Sequence, residues 1–213
     1  MNEPRGFLIK DGDILLLSTN PFKFLYEDAI SLQQASQNAT VKDSEVRYAR
    51  NSVLLFVVGM EALINRVYDT FVRTDLPAFV REKISDLPLD MKWYLAPIWC
   101  GNNEKETSYK VDEEPFQSFR ELVKIRNSYV HPFPKKMALK IVDAKRKFVD
   151  YDDPSALLWP QTKIPKDLNH FDKNSALKAR EVVDAMVELL DQFLSGKIKK
   201  DNWWLTETIN KEP

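Results

Sequence analysis

Arginine, asparagine and one of the chain's two histidines stand within six residues of one another at Arg126, Asn127 and His131, in the stretch "KIRNSYVHPFP" (124–134). An imidazole titrates near neutral pH, which is what general acid–base chemistry requires. His131 precedes Pro132, which biases it out of the helical region, and Pro134 opposes any continuation. The ring therefore belongs near a helix C-terminus, where the helix dipole favours the protonated form and burial would favour the neutral one. Two readings are open: the ordinary end of a core helix, or a small polar site.

Periodicity sharpens the choice. With Phe116 at zero and about 100° per residue, Phe119, Leu122, Val123 and Val130 span an arc of roughly 240–360°, and Arg126 falls inside it at about 280°. Asn127 and His131, four apart, stack on one edge of that stripe. A guanidinium at a core-facing position costs several kcal/mol unless it finds a partner or a wet cleft. A second helix offers the partner. Around 43–73, Glu61 sits among Leu54, Val57, Ile64, Tyr68 and Val72 on the wheel, with Asn65 one turn on and Arg47 and Arg50 earlier on that side. Glu61 and Asn65 are expected to face Arg126 across the bundle. The result is either a buried structural salt bridge or a functional pocket.

These helices imply a fold. "STNPFKFLYEDAISLQQASQ" starts a helix with Asn20 as cap and Pro21 in the first turn. The segment 43–73 is apolar almost all round, as a central helix packed on several sides would be. Residues 77–100 suggest two short helices broken by Pro88 and Pro97. A polar connector (101–115) leads to the Arg126 helix, about 115–131. Residues 135–149 fit helix or strand, and 150–170 reads as an exposed proline-rich loop. An amphipathic helix over 173–195 should bury Ala176, Leu177, Val183, Met186, Leu190 and Phe193. Asp11-Gly12, between two apolar runs, signals a small N-terminal β-hairpin. The expected class is all-α, an irregular helical bundle over 21–196, with an N-terminal hairpin or extension (1–20) and a C-terminal tail (197–213).

Bulk properties narrow the function. The 213 residues are 44% apolar and 30% charged, with five glycines, which suits a helix-rich globular domain. A net charge of −1 gives no overall bias towards nucleic acid, so any such binding must come from a local patch. The single cysteine, Cys100, excludes an internal disulfide and a cysteine-based zinc site. The longest apolar run, 53–64, is short of the ~20 residues a bilayer needs, and the N-terminus lacks a signal-peptide layout. A cytoplasmic protein with no membrane partner is expected. There is no Gly-rich phosphate loop, HExxH, GxSxG or CxxC, which argues against an ATPase, zinc protease, serine hydrolase or thiol oxidoreductase.

The segment "RNSYVH" (126–131) resembles the R-x4-6-H motif of HEPN domains: arginine, a polar residue, three more residues and histidine. "VGMEALINRVYDTF" (58–71) is similar to the glutamate-bearing central helix of many bacterial HEPN-like proteins, and the likeness covers 21–196. The resemblance implies a metal-independent endoribonuclease, a toxin or anti-phage effector, or else a silent relative binding RNA, a nucleotide or a partner protein. Arg126 would then hold the scissile phosphate, His131 would move protons and Asn127 would orient phosphate or ribose. The RNA 2′-hydroxyl is the nucleophile, so no metal or other cofactor is required. A homodimer through the motif face would supply two His131 and two Arg126 side chains. An antitoxin or regulatory protein is a further implied partner.

Beyond the motif, "KKMALKIVDAKRKF" (135–148) carries Lys135, Lys136, Lys140 and Arg146 in a basic strip that can track phosphates or simply be a solvated face. Trp203 and Trp204 can stack on bases or tuck the tail onto the domain. His170 reads as a loop or capping residue.

Overall fold

The computed structural model describes residues 15–18, 21–72, 76–101, 108–130, 140–143, 148–150, 157–196, 198 and 208–211. Helix dominates them, with six α-helices and four short strands: β1 (Leu15–Ser18), α1 (Pro21–Gln37), α2 (Lys42–Phe71), α3 (Ala78–Lys83), α4 (Leu89–Cys100), α5 (Phe116–Val130), β2 (Lys140–Asp143), β3 (Phe148–Asp150), α6 (Lys173–Phe193) and β4 (Thr208–Lys211). None of the described helices is long and apolar enough to cross a membrane.

α2 is the axis. Its 30 residues make a rod about 45 Å long at ~1.5 Å per residue. α1, α4, α5 and α6 all pack against it. This is why its apolar positions run round the cylinder: Val53, Phe56, Val57, Met60, Leu63, Ile64 and Val67 are fully buried. α1 contributes Phe22, Tyr26, Ala29, Gln33 and Ser36 at alternating steps of four and three, one helical face. Ser52 of α2 donates a 2.7 Å hydrogen bond to the Ala29 carbonyl, holding the two backbones close. The Tyr26 hydroxyl donates to Asp184 of α6. Burial, reinforced by that carboxylate, pushes its pKa up to about 12.

The other side of α2 is aromatic. Trp93 of α4 is fully buried, and its indole donates to the Met60 carbonyl at 3.3 Å. Its ring lies 5.5 Å from Phe119 of α5. Tyr109, just before α5, stacks on Phe116 at 5.4 Å and donates its hydroxyl to the Met186 carbonyl of α6. α4 departs from expectation: Pro97 lies inside it rather than ending it. Pro97 is three residues from the end, so its missing N–H costs only one bond of the last turn. Gly101 then closes the helix where a Cβ would come within 2.2 Å of the Pro97 carbonyl oxygen.

The short strands settle other ambiguities. Over 135–149 the described part is strand, β2 pairing antiparallel with β3. β1 pairs antiparallel with β4, Leu15 opposite Lys211 and Ser18 opposite Thr208. Among the described residues the N-terminal strand thus meets the C-terminal segment; the Asp11-Gly12 turn, Asn20, Trp203 and Trp204 lie outside them. On α6, Ala176, Val183, Met186 and Leu190 are buried as expected, but Leu177 is exposed. An Asp172–Ser175 capping box starts that helix.

The expected exposed loop is only partly exposed where it is described: Pro160, Gln161, Lys163, Asn169 and His170 are exposed, but others are not. Residues 157–166 fold back through a Leu158–Pro165 bridge, with Ile164 and Thr162 buried. The anchor is Glu121 of α5, itself buried. Its carboxylate accepts from Gln161 N at 3.0 Å, Thr162 N at 2.8 Å and Thr162 Oγ1 at 3.0 Å. A buried carboxylate needs such donors, so helix and loop are tied together. Glu121→Ala leaves three donors unsatisfied and should cost about 2–4 kcal/mol in urea unfolding while opening 157–166 to limited proteolysis.

Candidate functional site

α5 enters the bundle through Phe116, Phe119, Leu122, Val123 and Ile125, all buried, and leaves it in its last turn. Asn127, Tyr129 and Val130 are exposed there. Val130, expected in the core stripe, is 52% exposed because the helix has by then left its neighbours. Arg126 stands at the boundary, its side chain 24% exposed.

The arginine has found the expected partner. Arg126 Nη2 donates to Glu61 Oε2 of α2 at 2.5 Å, with the Glu61 side chain 33% exposed. Arg126 Nη1 donates to Asn127 Oδ1 at 3.0 Å. Its Nε is buried without a partner. Asn127 therefore holds the guanidinium from its own helix while Glu61 holds it from across the bundle. The pair is still partly open to water, its side chains 24% and 33% exposed, so it stabilises the fold by only about 1 kcal/mol. Glu61 also lines an open groove of about 540 Å³ together with Pro21, Leu25, Val58, Ala62, Asn65, Arg66 and Asp69.

Asn65 does not join Arg126. It is exposed, and its Oδ1 accepts from Lys92 Nζ of α4 at 2.9 Å. One turn along α2 is enough to turn it towards another neighbour. Lys92 is a polar core residue that sequence reasoning passed over; it is 4% exposed. The signal was there: Leu89, Lys92, Trp93 and Ala96 share helical spacing i, i+3, i+4, i+7.

A second cation meets the same end of α5. The Arg50 guanidinium of α2 lies over the Tyr129 ring, 5.7 Å from its centroid. The Arg50 Nε is buried with no partner among the described residues. Of the remaining expected site residues, His131, Lys135, Lys136 and Arg146 lie outside the described residues; Lys140 begins β2, and its side chain is outside them too. His170 sits exposed at the end of a short turn, its Nδ1 3.6 Å from Asp167. Among the described residues no group of three His, Cys, Asp or Glu side chains is placed to hold a metal ion.

Comparison of the chain with protein-family models, with curated proteins and with solved structures finds no match. The functional reading therefore stands on the Arg126–Glu61–Asn127 geometry and on the motif itself.

Glu61→Gln keeps an acceptor oxygen but removes the anion beside a half-buried guanidinium. The variant should lose about 1 kcal/mol in chemical denaturation, whereas Asn65→Ala should leave the Glu61–Arg126 coupling intact.

Proposed function

We propose that the chain is a HEPN-type helical module that cleaves RNA without a metal ion. The observation that carries this reading is the place of Arg126: on the last turn of α5, bound to the glutamate of the central helix, and still partly open to water. A guanidinium has five N–H donors in one plane. The described contacts use one at Nη1 and one at Nη2, so edges remain for a phosphodiester.

In this reading the 2′-oxygen of the substrate attacks the adjacent phosphorus and the 5′-oxygen departs, leaving a 2′,3′-cyclic phosphate and a 5′-hydroxyl. One proton leaves the 2′-hydroxyl and one is delivered to the 5′-oxygen; His131 is assigned to that traffic. Two transfers call for two proton carriers, which a two-fold dimer supplies from one histidine per chain. Arg126 stabilises the added charge on the phosphoryl oxygens, and Asn127, already bonded to it, fixes its orientation.

A second reading has its own observation. Glu61 neutralises Arg126 at 2.5 Å, which weakens its pull on a phosphate and suits a non-catalytic module that binds RNA or a nucleotide. The two are separated by incubating the wild-type chain and His131→Ala with total RNA in EDTA. The cleavage reading expects 2′,3′-cyclic ends from the wild type and none from the variant. No cleavage by either, with equal RNA affinity, selects the binding module. Neither cleavage nor binding would reject both and leave Arg126–Glu61 as a structural pair.

A further inference from the structure

We propose that Arg50 is a phosphate-binding residue for RNA laid along the end of α5, held in position by Tyr129; the assignment rests on the RNA reading above. Arg50 and Glu61 are eleven positions apart on α2, and at about 100° per residue they return to within roughly 20° of the same face. On α5, Arg126 and Tyr129 are i, i+3 neighbours. The two helices are thus joined by two contacts of the same faces, Glu61 with Arg126 and Arg50 with Tyr129.

The contacts differ in what they leave available. A carboxylate meets a guanidinium at an in-plane donor and neutralises its charge; Arg126 gives one such donor to Glu61 and one to Asn127. An aromatic ring attracts a guanidinium through the ring quadrupole and spends no N–H at all. Arg50 is held in the second manner, and among the described residues it has neither a carboxylate nor a hydrogen-bond acceptor. Its charge is partly withdrawn from water with no anion in return, an arrangement a purely structural arginine avoids. The Nη donors of such a guanidinium, which no described acceptor takes up, match the oxygens of a phosphodiester.

Charge points the same way. Arg50 and Arg126 outnumber Glu61 among these contacts, and exposed Arg47 lies on the same side of α2, so the local charge is positive, as a phosphodiester requires. Exposed Asn127 beside it can hydrogen-bond ribose. Tyr129 is a positioning residue: its ring, 37% exposed, holds the guanidinium charge 5.7 Å from its centroid.

The test is fluorescence anisotropy of a fluorescein-labelled oligouridylate with the full chain over a salt series. Arg50→Gln should bind about tenfold more weakly and flatten the plot of log affinity against log salt by roughly one unit, as loss of one phosphate contact does. Tyr129→Phe keeps the ring and should bind as wild type, whereas Tyr129→Leu should weaken binding severalfold. Wild-type affinity and salt slope in Arg50→Gln would overturn the assignment and leave the RNA reading standing. A wild-type chain that binds no oligouridylate would overturn both. If Arg50→Gln fails to fold by circular dichroism, Arg50→Lys decides. A wild-type slope with severalfold weaker binding supports the fork, and wild-type affinity overturns it.

Discussion

A helix enclosed on four sides has few places where a charge can stand. α2 is such a helix, and the consequence is that every ionised group near it must be accounted for by name. Its polar residues that meet other helices sit at the seams: Ser52 against α1, Asn65 against α4, Arg50 and Glu61 against α5. Where the seam is dry, the partner is a backbone carbonyl. Where it opens to water, as at the end of α5, the partners are ionic and aromatic. The candidate site lies at that opening.

The placement of α5 is doubly determined. Its first turns are fixed by aromatic packing with Trp93 and Tyr109 and by the Glu121 clasp on residues 157–166. Among the described residues, its last turn meets Glu61 through Arg126 and Arg50 through Tyr129. A rigid first half carrying a lightly held end is a sound way to build a site, since the groups that meet a ligand can adjust without disturbing the core. The two arginines there have different states: Arg126 is paired with a carboxylate, and Arg50 lies over the Tyr129 ring with no acceptor among the described residues.

Much of this was legible in the sequence, and for identifiable reasons. The periodicity of α2, α5 and α6 is strong because each buries a wide face, and Arg126 stood out because it interrupts such a face. Glu61 is legible because it interrupts the apolar stripe of α2 in the same way, among Val57, Ile64 and Tyr68. Lys92 carried the same kind of signal and was overlooked. Glu121 carried none: it lies off the apolar arc of α5, and only the returning loop buries it, so no local pattern announces it. The same holds for Leu177 and Val130, whose exposure depends on where neighbouring helices stop. Pairing of β1 with β4 joins segments nearly the whole chain apart, which no short-range turn signal encodes.

The central claim is that Glu61 and Arg126 act as one unit joining α2 to α5. A double-mutant cycle with Glu61→Gln, Arg126→Gln and the double variant, read by chemical denaturation, measures it directly. The account predicts a coupling of about 1 kcal/mol, the double variant losing less than the sum of the single losses. Additive losses, with no coupling beyond about 0.3 kcal/mol, would contradict it.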